Sequence, residues 1–139
     1  MSVSKITPNV VRVRGDYKPS IGYPSCYIFF GDSEIAIIDT GTIDFPRKEV
    51  LRTIEKQGYD VQKHIKMIIV THPHPDHIGA LKWLKNKTKA EIAAFEGIEE
   101  LLKKPSKIFE KNFKVSKLSK LKLKTMNPTF DYEELKGVD

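Results

Sequence analysis

The sequence predicts an α/β fold built on a mixed sheet with crossover helices. Two observations carry that prediction. The short apolar runs Glu34 to Asp39 and Met67 to Val70 bracket an amphipathic helical pattern, as in a strand, helix, strand unit with parallel strands. The run Cys26 to Phe30 is separated from the first of them only by Gly31 to Ser33, the spacing of a hairpin.

In order along the chain, Val10, Val11 and Val13 between Pro8 and Gly15 read as a first short strand, with Arg12 and Arg14 alternating outward. Pro19, Gly22 and Pro24 mark a loop. In the next strand Cys26, Ile28 and Phe30 share one face and Tyr27 and Phe29 the other. Ile35, Ala36, Ile37 and Ile38 are apolar on both faces, as in a central strand covered on both sides, and Asp39 stands at its end. A carboxylate there needs a partner, which an Asx-type turn into Gly41 would supply. Asp44 is expected to cap a helix with Pro46 in its first turn, Val50, Leu51 and Ile54 on its buried side, and Gly58 at its end. Tyr59 to Ile65 then leads into the strand at Met67. Beyond it, Ile78, Leu81 and Leu84 line one helix, with Trp83 as core. Ala90 to Phe95 is a fourth core strand, and Gly97 to Lys104 a helix broken at Pro105.

With 139 residues the chain suffices for one compact domain, residues 1–139. It is 40% apolar and 30% charged, and no run approaches the roughly 18 apolar residues of a membrane span. The N-terminus lacks an apolar signal core, and a single cysteine excludes an internal disulfide, so a cytoplasmic location is expected. Cys26 could be a thiolate ligand, but its place in an apolar strand favours a buried structural role.

Net charge is +6 and unevenly spread. Residues 1–80 hold ten Lys or Arg against nine Asp or Glu, whereas residues 81–139 hold fourteen against nine. Lys103 to Lys124 contains nine lysines and one acid among apolar residues. Lys120 to Lys124 alternates as a lysine-protected edge strand would, the reading preferred to a surface for nucleic acid or anionic lipid.

Chemistry concentrates at Thr71 to Gly79. Three of the four histidines, His72, His74 and His77, and the carboxylate of Asp76 fall within six residues. Neutral imidazole and carboxylate are the donors that zinc and related first-row metals accept. Pro73 and Pro75 hold His72 and His74 extended, so both side chains point to one side and reach one ion. Asp76 and His77 follow where a helix starts and can turn to a second ion. Asp76 could serve only as that helix's N-cap, but capping explains none of the histidines. The isolated His64 reads as a surface or satisfied side chain.

His72, His74, Asp76 and His77 form the pattern H-x-H-x-D-H, and with the strand ending Asp39, Thr40, Gly41 about thirty residues upstream the chain resembles the metallo-β-lactamase-fold hydrolases. The resemblance implies the N-terminal part of an αββα sandwich, the second half missing. It further implies His72, His74, Asp76 and His77 as metal ligands, Asp39 as the group bracing them, and Asp76 as the catalytic residue that orients water and returns its proton. Two zinc ions are the implied cofactor, other first-row metals being possible. The implied function is a zinc-dependent hydrolase using a metal-bound hydroxide on an ester, thioester, lactone, amide or similar bond of a small-molecule substrate. Alternatives are a metal-dependent phosphodiesterase or nuclease, and an inactive truncated fragment or binding module.

Family members complete the site with downstream histidines and a bridging aspartate, yet no histidine follows His77. The ending Leu135 to Asp139 resembles the turn before the next family histidine, so the domain is expected to be truncated C-terminally. Completion by another chain, or self-association through an exposed half-domain face, is the expected partnership. Glu96, Asp131 and Glu133 are carboxylates that could substitute, without supporting spacing. Phe95 stands where many members carry a polar residue, often His.

Overall fold

The computed structural model describes residues 1–44, 47–95, 98 and 123–126. Among these residues, seven strands form one mixed sheet in sequential order: β1 Ser2–Thr7, β2 Val10–Arg14, β3 Ser25–Phe30, β4 Ile35–Ile38, β5 Ile65–Val70, β6 Glu91–Phe95 and β7 Leu123–Met126. The first four pair antiparallel and the last four parallel. Helices α1 Arg47–Lys56, α2 Val61–His64, α3 Pro75–Ile78 and α4 Leu81–Thr88 fill the two crossovers between β4, β5 and β6.

The core lies on one face of this sheet. Register places Ile28 opposite Ile37, Ile37 opposite Ile68, and Ile68 opposite Ile92, so one row of fully buried side chains crosses β3 to β6, with the buried pair Val13 and Cys26 beside it. Val50 and Ile54 of α1, Val61 of α2, Ile78 of α3, and Leu81 and Leu84 of α4 close over that row, with Trp83 packed at its border. The alternation of period two in the strands and about four in the helices is what lets both meet. Gly58, at φ +85, ends α1 as expected, its N–H donating back to Glu55 O at 2.9 Å.

The other face differs from the expectation. Ala36 and Ile38 are only partly buried, as are Tyr27, Phe29, Met67 and Ile69 beside them, so β4 is fully covered on one side and not on both. All four helices pack on the first face, which explains the contrast.

Four further corrections concern elements. Strand β1 precedes the expected first strand; with serines, a lysine and few apolar residues it has no buried face, and an edge strand paired only to β2 needs none. The link Tyr59 to Ile65 contains the one-turn α2, capped by Asp60, whose Oδ1 accepts from Lys63 N at 2.7 Å, and β5 begins at Ile65 rather than Met67. The helix through Ile78, Leu81 and Leu84 is two helices, broken at Gly79 and Ala80. The lysine-rich strand runs over Leu123–Met126, at the end of the sheet beside β6, while Lys120 to Lys122 lie outside the described residues. Pro46 lies outside them too, as does the expected helix Gly97 to Lys104 apart from Ile98, which packs against the core.

Cys26 is fully buried, which supports its structural assignment. Burial first, and the nearby Asp39 charge second, hold its thiol well above the ordinary cysteine value. A thiol whose folded pKa is raised stabilises the fold fully below its unfolded value, and that contribution falls as pH rises past it. We therefore expect Ellman's reagent to label Cys26 only on unfolding, with the urea midpoint decreasing above pH ~8.5, the unperturbed cysteine value. Rapid labelling of the native chain would contradict this placement.

Candidate metal centre

Strands β4 to β7 run in one direction, so Ile38 and Val70 end at the same sheet edge and deliver Asp39 and the Thr71 to His77 loop side by side. Asp39 N donates to Ile69 O at 2.8 Å, prolonging the parallel ladder by one bond. The chain then turns at Asp39 with φ 57, a left-handed conformation that Asp tolerates better than most residues because its side chain can bond locally. Here the carboxylate points across to the next strand. Oδ1 accepts from Thr71 N at 2.9 Å, and Oδ2 from Thr71 Oγ1 at 2.6 Å and from His77 Nδ1 at 2.7 Å. Asp39 is therefore the brace of the loop, and its three partners leave little room for an Asx turn as its main role.

His74 is extended at φ −72 and ψ 150, as a residue before proline should be, and occupies the N-cap position of α3 with Pro75 following. Asp76 is thus inside the first helical turn and is not the cap. That turn carries His77 back over the loop: the His72 and His77 ring centroids are 3.7 Å apart and those of His72 and His74 4.7 Å. His77 Nε2 lies 3.1 Å from Asp76 Oδ2. All five predicted residues accordingly meet at one edge. His64 does not; its Nδ1 accepts from Asp60 N at 2.8 Å within the α2 turn, as a satisfied structural histidine would.

One residue beneath the loop, Thr40, had no assigned part in the sequence reading, whereas Gly79 was expected to permit close backbone approach there. Fully buried Thr40 grips the His77 carbonyl twice, through its N–H at 2.7 Å and its hydroxyl at 3.0 Å, and its Oγ1 accepts from Ala80 N at 3.2 Å. Gly79 donates to Gly41 O at 2.9 Å across the same contact. An Asp-Thr-Gly turn facing a His-Ile-Gly-Ala turn was the available signal: small and hydroxyl residues on both sides of a close backbone approach. The loop from Gly15 to Pro24 closes at the same edge, since β2 ends and β3 starts there. It presents exposed Tyr17 and Tyr23, edge to face at 5.4 Å, with the Arg14 guanidinium 4.5 Å from the Tyr23 ring. By contrast, a cleft of about 350 Å³ lined by Glu34, Lys66, Lys89 and Glu91 sits at the opposite edge, where β4, β5 and β6 begin.

Electrostatics separate the two inner histidines. For His72, burial and then the neighbouring His77 and His74 lower the pKa, against the weaker pull of Asp39 and Asp76. Burial also acts to lower that of His77, but its hydrogen bond to Asp39 and the charges of Asp39 and Asp76 outweigh it and raise the value. The cause is geometric. With Nδ1 spent as donor to Asp39, the remaining His77 Nε2 lone pair faces the Asp76 carboxylate at 3.1 Å, two acceptors that need a cation between them. A divalent ion held there would meet that need. The donor chemistry thus fits zinc. Among the described residues, however, no three His, Cys, Asp or Glu side chains converge on a single ion position. Zinc sites ordinarily use three or four protein ligands.

Comparison with known proteins identifies the family and the fold. The profile of the Metallo-beta-lactamase superfamily matches residues 20–139. A curated relative, the Metallo-beta-lactamase type 2 of Bacillus cereus, is 30% identical over 112 residues, covering 73% of this chain and 43% of that protein. Among solved structures, a class B3 di-zinc metallo-β-lactamase from an Alaskan soil metagenome superposes with TM-score 0.72 at 18% identity, over 91% of this chain and 46% of that one. A metallo-β-lactamase from Elizabethkingia meningoseptica gives 0.70 at 20% identity, over 91% and 44%. The chain belongs to the metallo-β-lactamase superfamily, and its fold is about half of that family's sandwich. It spans under half the length of these relatives.

Proposed function

We propose that this chain carries one half of a two-metal hydrolytic centre, with His72 and His74 as donors to one ion and Asp76 and His77 as donors to the other. The observation that carries the proposal is the pair of acceptors at 3.1 Å, His77 Nε2 and Asp76 Oδ2, with His77 Nδ1 already committed to Asp39 at 2.7 Å. Zinc held there would polarise a substrate carbonyl and acidify a water. The protein's own part is to aim the donors and to move one proton: Asp76 accepts the hydrogen bond that orients the attacking water, then passes the proton to the leaving group. Tyr17 and Tyr23 at the same edge offer an apolar wall to a substrate. The bond class is an ester, thioester, lactone or amide, including the β-lactam amide that names the relatives. The remaining ligands would come from another polypeptide.

Metal analysis of the 139-residue chain, paired with esterase, lactonase and β-lactamase assays, tests this. Weak zinc binding that His72→Ala and His77→Ala each diminish, with little turnover, is the expected result. Two tightly held zincs with turnover abolished by His72→Ala would show a complete site and end the half-site proposal. Zinc binding indifferent to both substitutions would remove the metal assignment itself.

A further inference from the structure

We propose that Thr71 is a positioning residue that selects the imidazole tautomer of His72, and through Asp39 that of His77, so that each neutral ring keeps its lone pair on Nε2. The inference rests on the metal-centre reading above and adds to it a residue with no assigned role. It follows from counting protons. The Thr71 hydroxyl has one, and at 2.6 Å from Asp39 Oδ2 it must be donated there, because a carboxylate only accepts. What remains on Oγ1 are lone pairs. His72 Nδ1 lies 3.2 Å from that oxygen, and with the hydroxyl proton committed the contact is a hydrogen bond only if Nδ1 carries the hydrogen. The His77 Nδ1 contact to the same oxygen is longer, 3.4 Å, and that nitrogen has its nearer acceptor in Asp39 Oδ2 at 2.7 Å. One hydroxyl therefore orders the sequence His72 to Thr71 to Asp39, and His77 joins at the same carboxylate oxygen. Each ring loses its Nδ1 lone pair and keeps the one on Nε2. A metal-ligating imidazole commonly has its other nitrogen fixed in this way by an acceptor.

Long-range 15N–1H spectra of the histidine side chains above neutral pH test the proposal directly in the metal-free chain. His72 is expected in the Nδ1–H form, and Thr71→Val, which keeps the branched shape and the backbone N–H bond to Asp39 but removes the hydroxyl, should convert it to the Nε2–H form. Thr71→Ser should restore the original signal. In a parallel chelator competition, Thr71→Val should weaken zinc binding by about 10- to 100-fold, the usual cost of losing a ligand's supporting partner, and Thr71→Ser by much less. Should the Val variant fold poorly, Thr71→Ala removes the same hydroxyl with a smaller side chain. Finding His72 as Nε2–H in the wild-type chain, or unchanged in Thr71→Val, overturns the proposal, as does unaltered zinc affinity in Thr71→Val. Failure of the metal reading has a different signature: no zinc uptake by the wild-type chain, with the tautomer test still deciding the part played by Thr71.

Discussion

Replacing Gly79 with alanine should destabilise the chain by about 3 to 5 kcal/mol, at or above the upper end of the range for overpacking a tight contact. Helix propensity alone predicts the reverse, because Gly79 is right-handed at φ −56 and ψ −37, where alanine gains about 1 kcal/mol over glycine. Sterics decide the sign. A β-carbon there would lie 2.4 Å from Ile43 N, 2.4 Å from Thr42 C and 2.7 Å from Pro75 O, all of them backbone atoms that no rotamer change can move. To admit it, the turn after Asp39 must part from the turn after His77, endangering the Gly79 N to Gly41 O bond and the Ala80 N to Thr40 Oγ1 bond, each worth about 1 kcal/mol. Urea unfolding followed by circular dichroism measures the loss. A change under ~1 kcal/mol would mean that the two turns separate easily and that the contact does not position the loop. Since His77 sits on one of the two turns, zinc binding should fall in the same variant.

The close contact around Gly79 also indicates where the sequence was informative. Period-two and period-four apolar patterns gave the hairpin of β3 and β4, the parallel pair β4 and β5, and the crossover α1, because burying apolar area dominates those choices and leaves its pattern in the residues. The same pattern located Asp39 and the histidine loop at one edge. Elements that bury little were not legible: β1 is held by one hydrogen-bonded neighbour, and α2 by the Asp60 cap, neither of which needs an apolar stripe. The covered and half-covered faces of β4 were indistinguishable for a related reason, since Ile35 and Ile38 are the same residue type with different surroundings. In the candidate site, the clustered donor residues were readable from the motif, while the supporting hydroxyls of Thr40 and Thr71 were not. Threonine is common in turns, and only the distances to Asp39 and His77 distinguish these two.

Substitutions at Asp39 should separate stability from metal binding more sharply than any other position. Asp39→Ala leaves Thr71 N, Thr71 Oγ1 and His77 Nδ1 without their acceptor and places alanine at φ 57, where a left-handed β-carbon costs about 1 to 2 kcal/mol. Hydrogen bonds to a charged group are worth about 1.5 to 3 kcal/mol each, but these three share one carboxylate and relief of its desolvation offsets part of them, so we expect a total loss of about 3 kcal/mol. Asp39→Asn behaves differently. Asparagine accepts the left-handed backbone, and its amide oxygen can still receive Thr71 N, which puts the NH2 where Oδ2 was. Facing that donor, Thr71 Oγ1 can accept instead, and His77 can accept at Nδ1 only by moving its hydrogen to Nε2. The fold then keeps most of its bonds, at a cost of about 1 kcal/mol, while the His77 lone pair is withdrawn from the side that faces Asp76. Zinc affinity should fall by about 10- to 100-fold in Asp39→Asn despite nearly normal stability. Urea unfolding and chelator competition on both variants check the pair of outcomes. Normal zinc binding by Asp39→Asn would show that the carboxylate's charge state does not govern His77, and an unchanged urea midpoint in Asp39→Ala would show that the brace is dispensable to the fold.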